Sequence, residues 1–295
     1  MRLTDGAEVG HEPDRPNVMA SVAKVPVGLT FYAQACIGNI DPTERLSLTP
    51  ASVTPGPFGI SRFSDPAVLS LRDLAYLMLT ISDNAATDAV THAVGIDAVN
   101  HQLQTLGCTS TVVVSDLATM LDGVAADLGF GNYNELLAAQ RGDLGPEARG
   151  ASTDPARIDR CRALDPAVAT RTTARDATRL LAAIWHDAAG PAEACATLRS
   201  VMAEQVTRRL GPAVPDGGTL AAKSGGLFGR VRNEIGVVTD PDGTVYAISL
   251  LTHAHEPFKH QDDINRVMAT TAAAALNELR EQPAPRPRTT PTRHE

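Results

Sequence analysis

The sequence predicts an α+β fold: an antiparallel sheet flanked by helices, joined to a mostly helical part. Two observations carry this. Apolar residues recur at helical spacing in segment after segment up to about residue 185, as at Leu71, Leu74, Leu77 and Met78. The last third then changes to strand-like runs over 219–224, 231–238 and 244–252, with Asp240-Pro241-Asp242-Gly243 as a hairpin turn between the last two. A chain of 295 residues with 43% apolar residues can bury a large core, as one large domain or two interleaved subdomains.

In chain order, residues 1–20 read as a short hairpin or single strand with Asp5-Gly6 as its turn. A helix begins at 19–21 and runs to about Ile37. Pro26 lies in its first turns, where a missing N–H costs least. Residues 38–59 read as a proline- and threonine-rich connection. Ser70, with Asp73 three residues on, caps a helix that ends at Ser82-Asp83-Asn84. Helices over 85–94 and 96–106 stop at Gly95 and Gly107. Residues 116–128 and 134–140 read as helices and 141–157 as loop. Thr173 opens a helix that ends near Trp185, and an alanine-rich helix spans about 263–280. Residues 281–295, rich in proline and arginine, read as a disordered tail. The expected organisation is one domain over 1–280, with an α/β part from 1–39 and 171–280 and a helical part over 40–170.

Composition excludes several classes. A net charge of -8 disfavours nonspecific nucleic-acid binding, and 4% aromatic residues leave little for base stacking. Cys36, Cys108, Cys161 and Cys195 are widely spaced, so neither a zinc site nor a redox pair is expected. His253, His255 and His260 sit in one loop after the last strand and read as loop residues, not metal ligands. No metal and no cofactor is expected. The first twenty residues hold no apolar run, which points to a cytoplasmic protein without a membrane anchor. The short stretch before Ser21 also fits a leader lost at a misassigned start.

Lysine usage draws attention to chemistry. The chain has three lysines, Lys24, Lys223 and Lys259, against twenty-three arginines. A deprotonatable amine is one thing arginine cannot supply. Ser21-Val22-Ala23-Lys24 places a hydroxyl and an amine one helical turn apart, so the amine can take the serine proton or stabilise the alkoxide. Ser82-Asp83-Asn84 follows 61 residues after Ser21, and Lys223-Ser224-Gly225 lies on an expected strand.

These three segments, in this order and on these elements, resemble the active-site set of penicillin-recognising serine enzymes, most closely the class A β-lactamases. Thr172-Thr173-Ala174-Arg175-Asp176 resembles a helix start found in that group. The resemblance covers about residues 1–280 and implies a three-layer α/β/α, transpeptidase-like fold. It implies Ser21 as acylated nucleophile, Lys24 as the group assisting its deprotonation, and Ser82 as proton donor to the leaving nitrogen. It further implies Asn84 as ligand of the substrate amide, Lys223 as a charge beside Ser82, and Ser224 as ligand of a substrate carboxylate. The N–H groups of Ser21 and Gly226 would form the oxyanion hole. Gly225 and Gly226 suit a strand that a ligand approaches closely. Arg230 or Arg232 would add a contact to an anionic substrate.

Two departures qualify the resemblance. The E-x-x-L-N segment that carries the class A deacylation base is absent, and residues 108–171 are enlarged. Asp159, Asp154 and Glu135 are the candidate substitutes. The expected function is a serine acyl-transfer enzyme acting on a lactam, amide or ester. The alternatives are a cytoplasmic acyltransferase or esterase, and a non-catalytic β-lactam-binding protein. The expected partner is a small, anionic substrate; oligomeric state is left open.

Overall fold

The computed structural model describes residues 1–282, and the disordered-tail expectation for 283–295 lies outside the described residues. The chain starts with β1 (Asn17–Val18), a short tight helix over Ala20–Ala23, and α1 (Lys24–Cys36). β2 (Arg45–Leu48) pairs antiparallel with β3 (Ala67–Ser70). Then come α2 (Leu71–Thr80), α3 (Asn84–Val94) and α4 (Ile96–Thr105). The enlarged region contains α5 (Leu117–Asp127), α6 (Tyr133–Arg141), α7 (Pro146–Thr153) and α8 (Pro155–Ile158). β4 (Arg171–Thr172) pairs with β1. α9 (Ala174–Trp185) and α10 (Ala192–Ala203) precede β5 (Thr219–Leu227), β6 (Val231–Thr239) and β7 (Val245–Leu250), and α11 (Gln261–Glu281) closes the fold.

Caps set the helix starts where the sequence places them. The Ser70 hydroxyl accepts from the Asp73 N–H at 3.3 Å, Asp83 from Ala86 at 3.1 Å, and Thr173 from Asp176 at 3.1 Å. Gly95 and Gly107 end α3 and α4 with φ of 79° and 72°, which glycine adopts without steric cost.

The structure corrects four expectations. The connection over 38–59 carries β2. Residues 141–157 are largely helical: Pro146 and Pro155 take first-turn positions of α7 and α8, where proline starts a helix instead of breaking one. α10 is a further helix beyond those expected, with Ala194, Cys195, Leu198, Val201 and Met202 as its buried stripe. Residues 1–9 turn at Asp5-Gly6 as expected, but form only an isolated bridge, Arg2 opposite Tyr246, along β7.

The sheet runs β5-β6-β7, antiparallel throughout. Side chains alternate across it, so each face feeds a separate core. Ala221, Ile235, Val237 and Ala247 join a core with Val25, Leu29, Leu181 and Leu198 from α1, α9 and α10. Leu220, Ala222, Val238 and Tyr246 pack on the other face against Met268, Ala272 and Leu276 of α11. Helices on both faces of one small sheet give the three layers. The enlarged region has its own core, including Val124, Leu128, Leu136, Ile158 and Leu164. Among the described residues, no helix is long and apolar enough to cross a membrane.

Candidate active site

The three segments singled out in the sequence meet where the α1 N-terminus, the α2–α3 junction and strand β5 come together. Ala20 and Ser82 both hold left-handed backbone, with φ of 48° and 63°. Non-glycine residues there cost on the order of 1 kcal/mol each, and such strain concentrates at functional positions. The strain at Ala20 bends the chain immediately before Ser21. Two strands hold this turn from behind. Asn233 Nδ2 donates to the Val18 and Met19 carbonyls at 2.8 and 3.2 Å. Gly225 lies so close that a Cβ there would stand 2.9 Å from the Met19 oxygen and 3.1 Å from the Ser21 nitrogen.

The free edge of β5 supplies the donor expected opposite Ser21. The Ser224 N–H points away from β6, since it donates to Gln205 Oε1 at 2.6 Å. N–H groups two residues apart on a strand share a direction, so the Gly226 N–H also faces out from the sheet edge.

Lys24 is fully enclosed at 1% exposure. Its Nζ contacts the Ser82 carbonyl at 2.8 Å, Ser82 Oγ at 3.1 Å and Asn84 Oδ1 at 3.1 Å. Burial lowers its pKa to about 7, against opposing pulls from Asp83 and Asp88. The three contacts suit both protonation states. An ammonium donates to all three oxygens. A neutral amine donates to the carbonyl and the amide oxygen and accepts from the Ser82 hydroxyl. Lys24 therefore bridges the α1 N-terminus to Ser82 and Asn84 in either state. Asn84 is oriented by its Nδ2, which donates to the Pro55 carbonyl at 3.0 Å. Asp83 is wholly buried and accepts from the Ile60 N–H at 2.7 Å, fixing the junction that presents Ser82.

Lys223 is also fully buried. Its Nζ donates to the Ser224 carbonyl at 3.0 Å and to Gln205 Oε1 at 3.3 Å. Burial, then the charges of Lys24 and Arg209, push its pKa well below the ordinary lysine value, while Glu234 pulls the other way. Gln205 joins this amine, the Ser224 N–H and, through Nε2 at 3.1 Å, the Glu234 carboxylate. Burial raises the pKa of Glu234, which accepts the Leu210 N–H at 2.6 Å. Arg209 NH1 donates to the Gly225 and Asn233 carbonyls at 2.7 and 2.5 Å. Burial lowers its pKa to about 10, with Arg232 adding to the effect.

The other candidates are each bonded to partners outside the three segments. Arg230 and Asp159 pair with each other: Nε and NH2 each reach a carboxylate oxygen at 2.6 Å. Arg230 NH1 donates to the Ala254 and His255 carbonyls, so this buried guanidinium ties the enlarged region to the loop after β7. Arg232 donates to Asn265 and Gln261 at 2.6 and 2.5 Å. Asp154 accepts from the Ala156 N–H at 2.9 Å and caps α8. Glu135 accepts from the Gly131 N–H at 2.7 Å. The carboxylates acting on Lys24 are instead Asp83 and Asp88; Asp88 accepts from the Leu117 and Ala118 N–H groups, both at 2.8 Å, and from the Thr54 hydroxyl at 2.5 Å. Gln205, Arg209, Glu234 and Asp88 were missed in the sequence. Only Asp88 carried a local signal, since it lies one helical turn beyond Asn84 on the helix that Ser82 introduces.

A family model described as "Beta-lactamase enzyme family" matches residues 1–279. The beta-lactamase regulatory protein BlaB of Streptomyces cacaoi is 31% identical over 293 residues, covering 95% of this chain and 91% of that protein. A solved beta-lactamase from Sphaerobacter thermophilus is 24% identical with a TM-score of 0.71, over 95% of this chain and 89% of that one. PBP-A is 20% identical with a TM-score of 0.72, over 95% and 88%. The solved structures establish the fold as β-lactamase/transpeptidase-like. The near-complete match to the family model and the regulatory relative carry the assignment further: this chain belongs to the beta-lactamase enzyme family.

Proposed function

We propose that the protein is a serine acyl-transfer enzyme that opens a lactam, amide or ester by acylation of Ser21. The observation that carries the reading is the enclosed Lys24 amine, with a pKa of about 7, in contact with Ser82 Oγ at 3.1 Å. Neutral Lys24 takes the Ser21 proton as Oγ attacks the carbonyl carbon. The resulting oxyanion is held by the Ser21 and Gly226 N–H groups. On collapse the bond from carbon to the leaving nitrogen or oxygen breaks. The proton passes from Lys24 through Ser82 to that leaving atom, so Lys24 ends neutral. The Arg209 guanidinium, which reaches the Gly225 carbonyl, makes this strand edge electropositive, which favours an anionic substrate.

Release of the acyl group is the slower half. Asp154 and Glu135 are engaged in hydrogen bonds within the enlarged region and Asp159 in the ion pair with Arg230, and this supports a long-lived acyl-enzyme that water, an amine or an alcohol can discharge. The relationship to a regulatory protein favours a second reading: acylation without turnover, as a β-lactam-binding signal receptor. Nitrocefin separates the two. The enzymatic reading expects a burst stoichiometric with protein, then steady hydrolysis below the roughly 1 s⁻¹ low end of ordinary turnover, accelerated by hydroxylamine as acyl acceptor. A burst with no steady phase and no response to hydroxylamine supports the receptor. No burst overturns both.

A further inference from the structure

A cavity of about 380 Å³ lies beside the nucleophile turn, and its size falls at the lower end of the roughly 300–1,000 Å³ range of small-molecule sites. Ala20, Ala23 and Lys24 wall it on the Ser21 side, and Leu227, directly after Gly226, walls it from β5. α3 and α5 and the segment over 162–170 close the remainder. It therefore abuts the turn that carries Ser21 and the end of β5 just past Gly226.

Its walls set the chemistry of the guest. Val27, Val113, Met120, Val124, Val168 and Leu227 supply apolar surface. The charged groups on the wall are already paired. Asp88 accepts from two backbone N–H groups and Thr54. Asp116 accepts from the Thr119 N–H at 2.8 Å and pairs with His92 at 2.9 Å, and Asp127 pairs with Arg162 at 2.9 Å. Lys24 is bonded to Ser82 and Asn84. A polar guest would have to compete for these partners, whereas an apolar chain displaces water from apolar walls and gains by burial.

Building on Ser21 acylation, we infer that this cavity receives the acyl side chain of the intermediate and selects substrates with a linear apolar acyl group of medium length. The walls include the helix α5 contributed by the enlarged region, which gives that insertion a role in substrate choice. With an aryl ester the step is balanced as follows. Ser21 Oγ bonds to the acyl carbon, and the ester C–O bond breaks. The serine proton goes to Lys24 and on through Ser82, and the aryloxide leaves as the phenol or, above its pKa, the phenolate.

The test is the burst rate constant with p-nitrophenyl esters from acetyl to decanoyl, kept below micelle-forming concentrations. Each methylene that enters the cavity is expected to raise the specificity constant for acylation by about threefold, since burial of one methylene is worth up to roughly fourfold. The gain stops once the cavity is full. Two variants move that stopping point in opposite directions. Gly123 lines the cavity, and a Cβ there meets nothing within 4 Å. Gly123→Leu fills the space, so the gain ends at shorter chains. Met120→Ala enlarges the space and extends the gain to longer chains. A flat chain-length profile in the wild type overturns the inference, as does an equal loss at every length in Gly123→Leu, and in both cases Ser21 acylation stands. Failure of every ester and of penicillin to acylate Ser21 overturns the underlying reading as well.

Discussion

Lys24→Met is expected to lower the rate constant for Ser21 acylation by about 10²–10⁴-fold, the usual worth of a positioned general base. Methionine has an unbranched chain of similar reach and adapts to an irregular buried site, so the fold is retained. The variant removes the amine that takes the Ser21 proton and returns it through Ser82. Lys24→Arg is expected to be as inactive, although it keeps the charge, because a guanidinium does not deprotonate. The pH dependence distinguishes a base from a mere contact. With a pKa of about 7, Lys24 is protonated below neutrality and free above it, so wild-type acylation rises with pH through about 7. That limb is absent in Lys24→Met.

Stability gives an independent readout of the same residue. The amine has the usual lysine value of 10.5 when unfolded and about 7 when folded. Between these values the unfolded chain binds more protons than the folded one, so stability rises with pH across that window. Burial of the ammonium costs on the order of a few kcal/mol at and below pH 7. Against Lys24→Met, the wild type is therefore expected to gain melting temperature as pH rises from about 7 towards 10. An unchanged difference across that range would mean that Lys24 is not held near pKa 7.

Gly225→Val is the second substitution with a large expected effect: a loss of about 10²–10³-fold in acylation, comparable to removing an oxyanion donor. The new Cβ meets the Met19 carbonyl at 2.9 Å and the Ser21 and Val22 nitrogens at 3.1 Å. These are backbone atoms, and the Met19 carbonyl is held by Asn233, so they cannot move aside as a flexible side chain would. The strand instead shifts away from Ser21, and the Gly226 N–H leaves the oxyanion position. Gly225→Ala, which adds the Cβ alone, is expected to lose less than the valine variant. Overpacking costs typically about 1–3 kcal/mol, so thermal melting checks that the chain stays folded while the burst amplitude falls.

Much of the centre was legible because its parts are local. Ser21 and Lys24 share one helical face, Ser82 and Asn84 flank a helix start capped by Asp83, and Lys223 and Ser224 sit on one strand. Short-range rules place each pair, and the order of the three segments supplies the family resemblance. The supporting groups were not legible, because they are assembled across the fold. Gln205 reaches Lys223 from eighteen residues away, and Arg209 touches Gly225 from sixteen. Neither stands in a pattern that a sequence can mark. Arg230 read as a substrate contact and Asp159 as a base because each was considered alone; in the fold they form an ion pair with each other. The prolines of 141–157 read as breakers because a proline at a first helical turn looks, in sequence, like a proline in a loop. β2 was hidden for a different reason. Its four residues are partly exposed, and its pairing partner β3 lies beyond a long connection.

The central claim is that Ser21 forms a covalent acyl-enzyme. Intact-protein mass spectrometry after incubation with penicillin G, followed by peptide mapping, tests it most directly. The account predicts a mass gain of one penicillin per chain, located on the peptide containing Ser21, and none in Ser21→Ala. A gain that persists in Ser21→Ala, or that maps to another residue in the wild type, would contradict it.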